Sequence, residues 1–188
     1  MSTTAELPKR ELMPGLAFLL MKWFWKIKDL FYSPNKALND FNILAGQTII
    51  DYGCGPGRYI QKASRLVGPE GRVYAVDIHE MAYACICKMA KRNKLHNVYP
   101  TKANRYFVPI QENKADLIYV LDVFHMVSQP DEFLNELHRL VKTEGTVILE
   151  DGHQKRSKTI DKVKNNGRWH IVSENKKHLN LKPRFKNA

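Results

Sequence analysis

The chain has 188 residues, 44% of them apolar and 26% charged, with a net charge of +11. That length holds one sizeable core and leaves no room for a second large domain, and the composition is that of an ordinary soluble globular protein. Three cysteines, Cys54, Cys85 and Cys87, exclude a disulfide framework and fit a reducing, cytoplasmic setting.

Residues 1–11 read as a polar loose end. The apolar stretch 12–21 follows Lys9 and Arg10 as a secretory leader would, but it contains Pro14-Gly15, lacks a small-residue cleavage site and runs into Lys22. It is also shorter than the roughly 20 apolar residues that span a bilayer. Over residues 16–31, Leu16, Leu20, Trp23, Ile27, Leu30 and Phe31 recur at helical spacing, while Lys22, Lys26 and Asp29 fall on another face, which predicts an amphipathic helix closed by Ser33-Pro34. With a short helix over 36–41 it makes an N-terminal cap, residues 1–45, ahead of a main domain over 46–188. Strands are then expected at 48–51, 72–77, 97–101, 115–121 and 146–149, alternating with helices at 58–66, 81–94 and 131–141. Such alternation implies a parallel sheet with right-handed crossovers. A helix over 159–164 and a hairpin of strands 168–172 and 177–181 close the chain, the hairpin running antiparallel. Residues 151–188 hold 11 Lys/Arg and 3 Asp/Glu, a balance of +8, so most of the positive charge lies in this last part.

The segment 48–59, TIIDYGCGPGRY, carries the most information. A buried strand ends at a carboxylate, Asp51, and breaks into Gly53, Gly55 and Gly57, where the backbone can approach a ligand that any Cβ would meet first. Twenty residues after Gly57 the next strand ends at Asp77. Two successive strands therefore deliver a carboxylate to one edge, the place where α/β sheets hold nucleosides. A dinucleotide-binding loop would read GxGxxG and rest a pyrophosphate on the following helix. The spacing here is GxGxG, and Asp51 would repel a pyrophosphate while tolerating a ligand with ammonium and sulfonium charges.

The run DxGxGxG followed by a strand-end acid resembles the cofactor-binding motifs of class I S-adenosylmethionine-dependent methyltransferases, and the order of features over 48–149 is similar to that family throughout. The resemblance implies an α/β fold: a Rossmann-like, doubly wound, mostly parallel seven-stranded sheet with an antiparallel C-terminal hairpin and an N-terminal helical cap. It implies S-adenosyl-L-methionine as cofactor, with Asp51, Gly53, Gly55 and Gly57 passing under its methionine part. Asp77 would accept both ribose hydroxyls and Ile78 would pack on the adenine. Asn104, where the family usually has Asp, would bond the adenine amino group through its carbonyl oxygen. Leu121, at the end of the fourth strand, completes the set.

Methyl transfer is a direct displacement, so alignment of nucleophile, methyl and sulfur supplies most of the catalysis. His125 and Asp122, just beyond the fourth strand, are the candidate catalytic residues: His125 as a base near neutral pH or as a residue that orders the loop, Asp122 as a steering charge or a turn cap. Glu150, Asp151 and His153 follow the fifth strand on the same edge, but no pair has the helical spacing of a zinc site, and no metal is expected. Cys54 reads as packing. The expected activity is methyl transfer to a small apolar or amphiphilic acceptor, similar to the quinone-biosynthesis branch of the family. The alternatives are an RNA or protein methyltransferase using the basic C-terminal part, and a cofactor-binding regulatory protein without turnover. Nucleic-acid binding is not expected, because a charge run is usually a solvated face and the Asn/Asp-Pro-Pro-Tyr-like motif of amino methyltransferases is absent at Leu121-Asp122-Val123-Phe124. The 16–31 helix fits a lid over the acceptor or a peripheral contact with a membrane surface. Oligomeric state has no signature.

Overall fold

The computed structural model describes residues 34–185, together with residues 14–16, 20 and 23. Its strands are β1 (Thr48–Tyr52), β2 (Arg72–Asp77), β3 (Val98–Lys102), β4 (Ala115–Val120), β5 (Val141–Glu150), β6 (Trp169–Glu174) and β7 (His178–Pro183). They form one sheet in the order β3-β2-β1-β4-β5-β7-β6. The first five are mutually parallel, and β7 enters between β5 and β6 antiparallel to both. This is the doubly wound sheet that the alternation of elements predicts, with the C-terminal hairpin as expected.

Apolar residues on both faces of each central strand require cover on both sides. Ile50 of β1 and Ile118 of β4 face α3 (Pro130–Leu140) and α4 (Arg156–Asn166) through Leu134, Leu137 and Val163. Their neighbours Ile49 and Leu117 face the opposite layer, where Ile60 and Val67 of α1 (Ile60–Val67), Ile86 of α2 (Glu80–Arg92) and Leu38 and Phe41 of a 3-10 segment (Pro34–Phe41) are buried. The period-two alternation of the strands thus divides the core into two clusters.

One boundary differs from expectation. Residues 142–145 have turn chemistry and were expected to separate a helix from a short strand, yet β5 begins at Val141 with no intervening turn. Val141 pairs with Ala115 and Thr146 with Leu117, so the extra residues form a bulge folded against the strand. Gly145 makes that possible: a Cβ there would lie 2.5 Å from Val141 Cγ2 and 2.8 Å from the Ala115 carbonyl oxygen. Lys142 then reaches Asp116 at 2.6 Å, and the other oxygen of Asp116 accepts from the Thr48 amide. α4 also starts earlier than expected, at Arg156, whose guanidinium is tied to Asp151 at 2.7 Å.

The helix expected over 16–31 lies mostly outside the described residues. Positions 15, 16, 20 and 23 are helical, and Leu16, Leu20 and Trp23 are exposed. A Cβ on Gly15 would sit 3.5 Å from Met81 Sδ, so this stretch begins beside the first turn of α2. Among the described residues no helix is long and apolar enough to cross a membrane.

Candidate active site

The glycine loop departs from β1 in left-handed backbone: φ is 81° at Gly53, 52° at Gly55 and 87° at Gly57. Space enforces the same choice. A Cβ would lie 2.3 Å from Val123 Cγ2 at Gly53 and 2.4 Å from Ile86 Cδ1 at Gly57, so the loop is pressed onto the end of β4 and onto α2. The amides of Gly53 and Cys54 donate to the Val76 carbonyl, which ties the loop to β2.

Asp77 organises the edge. Its Oδ2 accepts from the Gly55 amide at 2.9 Å and its Oδ1 from the His79 amide at 2.8 Å. Each oxygen keeps a further lone pair, so the carboxylate is oriented by the protein and still able to accept two hydroxyls from outside. Its backbone carbonyl takes the Ala103 amide, and Asn104 is pinned by two backbone bonds to Phe107. The exposed Asn104 and the half-buried Ile78 therefore stand at the same strand ends as Asp77. Leu121, Asp122 and His125 follow β4, next to Gly53 through the Val123 contact. The structure thus brings the sequence-predicted positions to one continuous edge, the carboxyl ends of β2, β1 and β4.

Within that edge Asp51 is the most unusual group. It is 2% exposed, in register with Ala75 on one side and Tyr119 on the other. Burial pushes its carboxyl up to about 8; the Tyr119 hydroxyl approaches without closing a well-formed hydrogen bond and opposes part of the shift, while the Asp77 charge adds to it. Burial also raises Asp77, against the backbone donors that favour its charged form. The Cys54 thiol is pushed well up by burial and by both carboxylates, which makes it inert packing. Two carboxyls whose burial opposes their ionisation, side by side at one sheet edge, would both be stabilised in charged form by a cationic ligand. Tyr119 was not singled out from sequence, where it reads as one more residue of an apolar strand; its signal is a hydroxyl in the middle of a buried strand, which needs a polar partner.

The β4–β5 side is built differently. Asp122 is a non-glycine residue with φ 55°. It leads into a 3-10 turn (Phe124–Met126) that carries His125. The His125 and His153 rings meet edge to face, 4.9 Å apart. Asp122 Oδ1 lies 3.8 Å from His125 Nδ1 and 3.6 Å from His153 Nε2. Glu150 is raised by burial first and by the Asp122 charge second. Farther along, two of the basic residues of α4 are engaged, Arg156 with Asp151 and Glu174 and Lys162 with Gln154 and the Phe124 ring, while Lys158 and Lys164 are exposed.

Comparison with known proteins places this geometry. The family described as "Methyltransferase domain" matches residues 43–188. A demethylmenaquinone methyltransferase of Geobacillus stearothermophilus is 34% identical over 112 residues, 58% of this chain and 47% of that protein. The ubiquinone/menaquinone biosynthesis C-methyltransferase UbiE of Escherichia coli is 31% identical over 105 residues, covering 55% of this chain and 42% of that one. The chain thus spans just under half the length of these relatives. Among solved structures, a SAM dependent methyltransferase from Aquifex aeolicus superposes with a TM-score of 0.67 at 26% identity, over 81% of this chain and 89% of that one. The match runs over residues 43–188, the whole of the sheet, and the chain belongs to the methyltransferase-domain family.

Proposed function

We propose that the protein transfers a methyl group from S-adenosylmethionine to a small, apolar or amphiphilic acceptor, in the manner of the quinone-ring C-methyltransferases it is similar to. The observation that carries this reading is Asp77, fixed by the amides of Gly55 and His79 with one acceptor position open on each oxygen. Asp51 beneath the loop supplies the negative charge that an ammonium and a sulfonium require. Ile78 and Leu121 offer apolar contact, and Asn104 stands where an adenine amino group would reach it.

Chemistry at the transferred carbon needs no metal or base for a ready nucleophile, only a line from acceptor through methyl to sulfur. In this reading His125, beyond β4, takes a proton when the acceptor is an oxygen or carbon acid, and Asp122 acts as a steering charge beside it. The helix expected over residues 16–31 would serve as a roof that excludes water from the acceptor; Gly15, at its start, lies beside Met81 of α2.

Calorimetry with S-adenosylmethionine and its demethylated product tests the assignment. Asp77→Asn keeps the shape and removes the charge; it should weaken both ligands by about 10- to 150-fold, equivalent to roughly 1.5–3 kcal/mol. Unchanged affinity sinks the ribose role. Screening small metabolites for a cofactor-dependent mass gain of one methyl group then identifies the acceptor.

A further inference from the structure

Asp122, His125 and His153 each direct one ligand atom into the same small volume, all within 4.8 Å of one another. The distances from Asp122 Oδ1 to the two imidazole nitrogens, 3.8 and 3.6 Å, are too long for hydrogen bonds. They are close to what a shared ion needs: donors about 2.0–2.2 Å from a metal, at angles between 90° and tetrahedral, stand about 3.0–3.4 Å apart. The widest pair, within 4.8 Å, must close by up to about 1.4 Å, shared between side chains at the ends of two loops.

The backbone accepts unfavourable conformations to make this cluster. Asp122 sits in the left-handed region, which is unfavourable for a non-glycine residue and recurs at functional sites. Across from it Gly152 has φ 62°, and a Cβ there would fall 2.1 Å from His125 Nδ1. Only glycine lets the turn carrying His153 close over His125. The His153 and Asp122 side chains are 80% and 46% exposed while His125 Nδ1 is buried, so an ion would enter from the Asp122–His153 side, where positions remain for water or an oxygen ligand.

We propose that Asp122, His125 and His153 form a binding site for a borderline divalent transition-metal ion at the carboxyl ends of β4 and β5. Two imidazoles and one carboxylate select Zn2+, Co2+ or a similar ion over Mg2+ and Ca2+, which prefer all-oxygen shells. The ion lies beside the glycine loop through Val123, on the acceptor side of the sheet, where its open positions would hold an oxygen-bearing ligand. The site is independent of the cofactor assignment and stands or falls separately from it.

The test uses the full chain, free of any affinity tag and stripped with a chelator, titrated with Zn2+ by calorimetry and with Co2+ by visible absorption. One ion per chain is expected, with cobalt bands of a low-coordinate nitrogen-oxygen site and no competition from millimolar Mg2+. His153→Ala, at an exposed position that folding tolerates, should weaken binding about tenfold or more, as should Gly152→Ala by displacing His125. His170→Ala, on the exposed face of β6, should leave it unchanged. Absence of saturable one-to-one binding overturns the proposal. So does binding that His153→Ala does not alter, or a site that takes Mg2+ in preference.

Discussion

Two carboxylates at opposite ends of the sheet are almost equally hidden from water and are treated in opposite ways. Toward the amino end, Glu136 of α3 is 8% exposed; its Oε1 accepts from the Val108 amide and from Arg139, and its Oε2 accepts from Arg139 again. The same guanidinium donates to the carbonyls of Ile110 and Val108, so one ion pair fastens the whole 108–110 loop. At the carboxyl end, Asp51 has one oxygen with no bond among the described residues and a proton affinity far outside the carboxylate range. Satisfied buried charge is architecture, and unsatisfied buried charge is held for a ligand. The difference can be broken from either side.

The largest effect is expected at the satisfied end. Arg139→Ala leaves the Glu136 carboxylate buried without its partner and frees the 108–110 loop, which should cost about 2–4 kcal/mol in denaturant unfolding. Affinity for S-adenosylmethionine, measured on the folded fraction, should hardly change; a large loss there would mean that the two ends are coupled.

At the unsatisfied end the sign reverses. Asp51 has a folded value of about 8 against 3.8 for an unburied carboxyl, so between those values the folded state keeps a proton that the unfolded chain releases. Its contribution to stability is fully present below about pH 4 and is lost as pH rises through about 8. Asp51→Asn should therefore stabilise the protein at pH 8–9, by about 1–3 kcal/mol, and flatten the decline of stability between pH 4 and 8. It should weaken cofactor binding at the same time. In the unaltered protein, cofactor affinity should fall by up to about tenfold for each pH unit below about 8, because the cationic ligand selects the ionised acid. Thermal unfolding across pH, with calorimetry in two buffers of different ionisation enthalpy, checks both statements; a pH-independent affinity would separate Asp51 from the ligand.

The smallest effect belongs to a pair that is neither. Arg156 bridges Asp151 and the exposed Glu174 at the start of α4. Arg156→Ala should cost about 1–2 kcal/mol, of which the share owed to the exposed Glu174 is lost in high salt.

The same contrast explains what could be read in advance. Glycines 53, 55 and 57 and the acids 51 and 77 lie within one βαβ unit, where spacing along the chain is spacing in space, so that half of the site was legible. Strands β1, β2 and β4 declared themselves by short apolar runs. The Asp51–Tyr119 pairing was not legible, because it depends on the register of two strands 68 residues apart in sequence, as Thr48 to Asp116 illustrates. Nor was the approach of Asp122 to His153, which needs two loops and a specific glycine to meet; helical ligand spacing, the criterion applied to those residues, cannot see a cluster assembled from strand ends. The residues 142–145 misled for a related reason, since turn chemistry also serves a bulge once a neighbouring strand, here around Ala115, holds its two ends.

The place of β7 sets an order of assembly on the ribosome. β5 can pair with β4 as soon as residue 150 has emerged, but its other side is closed only by residues 178–183, a strand made after β6 that must slot in between β5 and β6. Until then the nascent chain displays an open edge bearing Val147, Ile148 and Leu149, while the glycine loop and both of its acids, all encoded before residue 78, are already in place. A nascent chain paused short of residue 178 thus combines a complete glycine loop with an adhesive flank, and a ligand held at that loop would steady the half-built sheet during the interval in which it is most exposed to wrong partners.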